Sequence, residues 1–124
     1  MSRSLFAGLA LAAALTATAA FAQDLPAGVK RAEGVLTDPA GKPLYTFTMD
    51  TMKGMSHCTG PCATAWPPFI AAAGAKPAGD WTLITREDGS RQWALKDKPL
   101  YTFAKDEAGK PGTGEAISNW KLAH

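Results

Sequence analysis

The hexapeptide Lys-Pro-Leu-Tyr-Thr-Phe occurs twice in this chain, at residues 42–47 and again at residues 98–103. An aspartate follows each copy at the same distance, Asp50 after the first and Asp106 after the second. Self-similarity of this kind indicates that one structural unit is used twice. The repeat therefore predicts two related β-units in one small domain, with repeats around residues 33–50 and 90–106, packed around a pseudo-two-fold relation.

The rest of the pattern predicts antiparallel hairpins. Residues 33–38 and 43–48 are typical of two strands joined by a turn that contains proline and glycine. The second half is expected to form a three-stranded meander and a closing strand, at residues 81–85, 91–96, 100–104 and 117–122. Pro61 and Pro67 bracket a short helical turn, and residues 69–79 are expected to be a surface connector. The predicted fold is mainly β, a small antiparallel domain with one short helical turn near the cysteines.

The N-terminus has the pattern of an export signal. Arg3 precedes an apolar run, and residues 20–22 end it with a small-x-small cleavage pattern, so residues 1–22 are predicted to be a signal peptide. The apolar run is too short and too rich in alanine for a bilayer span, which needs about 20 strongly apolar residues. We therefore expect cleavage near Ala22 and a single domain over residues 23–124, periplasmic or secreted, without a membrane span.

The charge and the motifs of the sequence narrow the range of functions to be expected. Without Arg3 the chain has twelve basic and eleven acidic side chains and no basic run, so nucleic-acid binding is not expected. The sequence contains neither Gly-x-Ser-x-Gly nor His-Glu-x-x-His, and it has only two histidines. We expect a non-catalytic monomer whose partner is an envelope component or a small ligand.

Cys58 and Cys62 are predicted to form a disulfide, because a closely spaced pair in an exported chain is more often bonded than free. Gly60 and Pro61 lie between them and let the backbone turn tightly. The alternative is a redox-active pair of the thioredoxin kind, which uses Cys-x-x-Cys in a βαβ setting. This pair has one residue more and no such setting, so the redox interpretation is the weaker one.

One segment between the repeats carries possible metal ligands. Met49, Met52 and Met55 follow one another at three-residue steps, and His57 comes directly after them. Thioether and imidazole groups are ligands that select Cu(I). The alternative is a flexible loop whose methionines fill gaps in the packing. Copper is thus the one cofactor that the sequence suggests, and otherwise we expect none.

Two stretches resemble a known family: Tyr45-x-Phe47-x-x-Asp50 and Tyr101-x-Phe103-x-x-Asp106. They are similar to the Y-x-[FWY]-x-x-D repeat of a bacterial secreted-repeat family, often described as predicted lipoproteins. Residues 58–68 resemble the C-x-G-x-C-A-x-x-W-P-P segment of that family. The resemblance implies an exported protein and no particular activity. This chain has no cysteine directly after the predicted cleavage site, where Gln23 stands, so the resemblance does not extend to a lipid anchor.

The repeated aromatic residues allow two interpretations. At two-residue spacing they project from one face of a strand, either into a core or as a platform for a ligand. Core packing is the interpretation that a paired repeat favours, and Asp50 and Asp106 are expected to close turns at the strand ends. The main functional prediction is an exported, non-catalytic binding or envelope-associated module. A Cu(I)-binding protein is the alternative, and a thiol redox protein is the weaker one.

Overall fold

A computed structural model describes residues 25–124, so the predicted signal peptide and its cleavage site lie outside the described residues. The strands are β1 (Lys30–Ala32), β2 (Val35–Thr37), β3 (Tyr45–Phe47), β4 (Trp81–Thr85), β5 (Arg91–Leu95), β6 (Lys98–Pro99) and β7 (Trp120–Leu122). Within the same residues, the helical elements are α1 (Pro61–Ala65) and a 3₁₀ turn (Gly114–Ala116). The predicted fold class, mainly antiparallel β with one short helix near the cysteines, is confirmed.

The second half forms the predicted meander, in the order β4-β5-β6. Its third strand is shorter than expected and begins earlier, because the turn falls on Lys96 and Asp97 and the chain leaves β5 soon afterwards. Beyond this strand, the backbone of Tyr101 pairs with Tyr45 of the other half instead of continuing along β5. The position of the third strand is therefore set by contact between the two halves.

The first half differs from the predicted hairpin. β2 pairs mainly with β1, and β3 pairs with the C-terminal strand β7 in the register Tyr45 to Leu122. What remains of the hairpin is a bridge between Thr37 and Pro43 and a hydrogen bond from Leu44 N–H to the Leu36 carbonyl at 2.9 Å. β3 instead pairs over all three of its residues with β7, whose Trp120 and Leu122 pack in the aromatic core.

The two copies of the hexapeptide meet at the centre of the fold. Tyr45 and Tyr101 exchange both backbone hydrogen bonds, at 2.8 and 3.0 Å. The leucine before each tyrosine also makes an equivalent hydrogen bond in the two copies. Ala123 N–H donates to the Leu44 carbonyl, and Phe69 N–H donates to the Leu100 carbonyl. The chain around Phe69 therefore acts as an irregular strand beside the second copy, which corrects the prediction of a surface connector there. The two halves are related by the expected pseudo-two-fold arrangement.

Neighbouring residues of each copy enter two different cores. Leu44 and Leu100 belong to a core with Leu36 and two tryptophans, whereas Tyr45 and Tyr101 belong to an aromatic core. All four of these repeat residues are completely buried. Successive side chains of an extended chain point to opposite sides, so the repeated segments form a central layer between the two cores.

Candidate functional site

The tyrosines and aspartates of the repeat pair crosswise. The hydroxyl of Tyr45 donates to Asp106 Oδ2 at 2.6 Å, and the hydroxyl of Tyr101 donates to Asp50 Oδ2 at 2.6 Å. All four residues are buried. Each copy of the repeat therefore supplies a tyrosine to the aspartate of the other copy, and the two bonds fasten the halves together.

The second oxygen of each carboxylate closes a loop. Asp50 Oδ1 accepts the backbone N–H of His57 at 2.6 Å, while Asp106 Oδ1 accepts the N–H of Thr113 at 2.9 Å and its hydroxyl at 2.8 Å. The separation is seven residues in both cases. The same construction thus closes two loops of equal length, residues 50–57 and residues 106–113. We call the first, together with Met49, the methionine loop (residues 49–57) and the second the glycine loop (residues 106–113).

The environment of the tyrosines keeps their hydroxyls protonated. Burial, followed by the hydrogen bond to Asp106, raises the pKa of Tyr45 well above its ordinary value. Burial, followed by the hydrogen bond to Asp50, raises the pKa of Tyr101 in the same way. Each hydroxyl also makes a second hydrogen bond beside its partner aspartate. The N–H of Gly114, directly after the glycine loop, donates to the Tyr45 hydroxyl at 2.9 Å. The Ser56 hydroxyl, in the methionine loop, lies 2.6 Å from that of Tyr101. Both tyrosines therefore act as neutral donors that tie loops to the core.

Four aromatic rings stack across the pseudo-two-fold axis in the order Phe47, Trp120, Trp66, Phe103. The two tryptophans lie at the centre of the stack, with ring centroids 3.7 Å apart and planes 3° from parallel. Tyr45 and Tyr101 pack edge-on against these tryptophans, each with a centroid separation of 5.2 Å. The repeat aromatics thus build the core, and the structure does not present them as a ligand platform.

The aspartates were predicted to close turns. Each does so through its backbone, since Asp50 N–H donates to the Phe47 carbonyl and Asp106 N–H to the Phe103 carbonyl, both at 3.0 Å. The sequence did not reveal the bonds that their carboxylates make across the two halves. The sequence shows the same tyrosine-to-aspartate spacing in both copies, but this spacing does not indicate which tyrosine bonds to which aspartate.

The predicted disulfide between Cys58 and Cys62 is present, with the two Cα atoms 5.1 Å apart. Cys58 is fully buried, and its carbonyl accepts a hydrogen bond from Arg86 at 3.0 Å. Its N–H donates to the hydroxyl of Ser56 at 3.1 Å. A buried cysteine whose backbone is held in this way favours a structural role for the disulfide, which fixes the chain directly after His57.

The methionine loop exposes all three of its sulfur-bearing side chains. Met49 and Met52 are each 54% exposed and Met55 is 47% exposed, so they are not gap fillers of the core. Met55 N–H donates to the Met52 carbonyl at 3.2 Å, and Gly54 adopts the left-handed φ of 78° within this turn. The ends of a β-turn have Cα atoms within about 7 Å of each other, which brings Met52 and Met55 together.

His57 lies at the base of the same loop, beside a buried carboxylate. Its side chain is 40% exposed, whereas that of Asp50 is 1% exposed. The Nδ1 atom of His57 lies 3.8 Å from Asp50 Oδ1, too far for a hydrogen bond but close enough for electrostatic attraction. The hydrogen bond from the His57 backbone to Asp50 therefore places a partly exposed imidazole at the base of the loop.

Other metal ligands do not gather elsewhere in the described residues. Within residues 25–124, no three side chains of histidine, cysteine, aspartate or glutamate are grouped so that they could hold a metal ion. Methionine is not one of those residue types. The same residues contain no helix long and apolar enough to cross a bilayer.

Fold and site together define a small disulfide-bonded β protein made of two related halves. A family model described as a secreted repeat of unknown function matches this chain twice, over residues 27–70 and 82–124. The chain belongs to this secreted-repeat family, and the two matched ranges coincide with the halves that the crosswise bonds fasten together. No curated protein and no solved structure matched the chain.

Proposed function

We propose that the protein is an exported, non-catalytic binding module and that its methionine loop binds Cu(I). The observation that carries this proposal is the composition of one closed loop. It exposes Met49, Met52 and Met55, and it holds His57 against the buried carboxylate of Asp50. Soft thioether ligands together with an imidazole form the kind of ligand set that selects Cu(I) over harder metal ions.

The construction of the loop supports a preorganised site. Its base is closed by the hydrogen bond from His57 N–H to Asp50, its tip is a turn, and the disulfide begins at the next residue. A loop fixed at both ends loses less conformational entropy on binding than a free segment. The glycine loop is closed in the same way but contains no methionine or histidine, so the ligand set is an addition to the repeated scaffold.

The non-catalytic part of the proposal rests on how the buried polar groups are used. In both tyrosine–aspartate pairs, the hydroxyl and the carboxylate make their hydrogen bonds to other groups of the fold. Export is supported by the description of the family as secreted and by a disulfide of the kind that persists in oxidising compartments. Release into the periplasm or the medium, cleavage near Ala22, a monomeric state and an envelope partner stay predictions.

The test is an anaerobic Cu(I) titration of the disulfide-bonded protein in competition with a chromophoric Cu(I) chelator. The comparison variant replaces Met49, Met52 and Met55 by leucine, which keeps the side-chain size and removes the sulfur. We expect the affinity to fall by over roughly a hundredfold, since even the loss of an outer partner of a metal ligand typically costs 10–100-fold. Equal affinity in both proteins, or no binding by either, would refute the copper proposal.

The two histidines of the chain provide a matched control. His57→Ala removes the imidazole beside Asp50, whereas His124→Ala removes one whose Nδ1 lies 3.0 Å from the Gly34 carbonyl, away from the loop. We expect the first substitution to weaken Cu(I) binding and the second to leave it unchanged. Equal losses in the two variants would show that the loop is not the site.

A further inference from the structure

A second site is suggested by a cavity of about 480 Å³ beside the C-terminal strand. The residues that line it include three basic ones, Arg31, Lys96 and Lys98, and three large apolar ones, Trp81, Leu95 and Leu122. Small-molecule sites typically have volumes of about 300–1,000 Å³ and combine apolar walls with a few polar groups. None of the proposed copper ligands lines this cavity.

The charges around the cavity favour an anion. The titratable side chains among its lining residues are those of Arg31, Asp80, Lys96, Lys98 and His124, so three basic side chains accompany one acidic side chain. The chain as a whole has a formal net charge of only +2, and the positive excess at the cavity is therefore local. A concave wall lined by one sign of charge raises the local concentration of the opposite ion.

The turn that carries the lysines has an unusual backbone. Lys96 and Asp97 both lie in the left-handed region, with φ of 52° and 67°. Two-residue turns of this type normally use Asn-Gly, because side chains are disfavoured there. Lys96 N–H donates to the Asp80 carbonyl at 2.8 Å, which holds the turn against the cavity wall. Residues kept in such conformations cluster at functional sites.

We propose that this cavity binds a small amphipathic anion. The apolar body of the ligand packs against Trp81, Leu95 and Leu122. Its carboxylate or phosphate head lies among the cations of Arg31, Lys96 and Lys98, where charge-assisted hydrogen bonds hold it. The anion site shares no ligand with the proposed copper site, although Lys96 and Lys98 also line a smaller cavity with Asp50 and Met52 of the methionine loop.

The experiment is isothermal titration of the disulfide-bonded protein with decanoate and with decyl phosphate, below the concentrations at which they form micelles. Decanol tests the apolar body alone, and inorganic phosphate tests the head alone. The binding variant is Lys96→Gln with Lys98→Gln. The matched control is Lys76→Gln with Lys105→Gln, since neither of these lysines lines the cavity.

We expect saturable binding of decanoate or decyl phosphate that falls roughly tenfold or more in the binding variant and is unchanged in the control. Which of the two anions binds more tightly identifies the head group. The proposal is overturned if neither anion binds, if the two double variants bind equally, or if decanol or inorganic phosphate alone binds as tightly as the amphiphiles. Should the binding variant fail to fold, as judged by its near-ultraviolet circular dichroism, the single Lys96→Gln and Lys98→Gln variants decide the matter by the same criteria.

Discussion

The crosswise pairing of tyrosine and aspartate can be tested by double-mutant cycles. The sequence groups Tyr45 with Asp50 in one copy of the repeat, whereas the structure bonds Tyr101 to Asp50 at 2.6 Å. Tyr101→Phe removes only the hydroxyl and leaves the ring in the aromatic core. Asp50→Ala removes the acceptor. The coupling free energy between the two substitutions reports their direct interaction.

The expected magnitude follows from the burial and the charge of this pair. Both residues are buried, and a hydrogen bond to a charged group contributes about 1.5–3 kcal/mol. We therefore expect a coupling of about 1.5–3 kcal/mol between Tyr101→Phe and Asp50→Ala. Tyr45 and Asp50 share no hydrogen bond, so their substitutions should add to within about 0.5 kcal/mol. The second cycle is the control for the first.

The assay is urea unfolding of the disulfide-bonded protein at neutral pH, followed by tryptophan fluorescence. Equal m-values across the variants would show that the midpoints report stability alone. If Asp50→Ala is too unstable to measure, Asp50→Asn replaces it in both cycles. A coupling between Tyr45 and Asp50 as large as that between Tyr101 and Asp50 would refute the crosswise arrangement.

Two further predictions concern the same core. The pKa of both tyrosines is raised by burial from the ordinary value of 10.0, so the stability that their neutral forms contribute is complete below pH 10 and is lost as the pH rises above it. For the two tyrosines together, the unfolding free energy should fall by up to about 2.7 kcal/mol per pH unit above pH 10. In Tyr101→Phe it should fall half as steeply. A flat profile above pH 10 would contradict this account. Gly114→Ala should cost about 1–3 kcal/mol through overpacking, because its Cβ would lie 2.5 Å from the ring of Trp66. An unchanged urea midpoint for Gly114→Ala would contradict the close approach of that backbone.

The local structure of this chain could be predicted well from its sequence. The helix begins at Pro61 and ends before Trp66, as the two prolines that bracket it predicted, and the disulfide joins the predicted cysteines. The turn that begins at Asp38 forms as expected, with Gly41 N–H donating to the Asp38 carbonyl at 2.9 Å. In each case the determining information lies within a few residues of the feature, in proline, glycine or cysteine chemistry.

The pairing between distant segments could not be predicted in the same way. β3 was expected to return along β2, but it pairs with β7, some seventy-five residues away. Period-two alternation shows which side chains share a face, and it does not identify the neighbouring strand. The contact of Asp50 with His57 depends on that global pairing too, because Tyr101 holds the carboxylate in place. The candidate ligands could thus be named from the sequence, whereas the carboxylate that orients one of them could not.

The two loops explain how a repeated scaffold can carry one specialised site. Each loop is closed by a carboxylate that accepts a backbone N–H, from His57 in one half and from Thr113 in the other. A backbone donor is available from any residue except proline, so closure does not require a particular side chain at that position. The tyrosine bonds that fasten the halves use the opposite carboxylate oxygen, so the first oxygen of each aspartate stays available to close its loop. The closing bond uses no side chain of Met49, Met52 or Met55, so the three exposed methionines, with His57 at the base, are placed where the scaffold leaves the choice of side chain open.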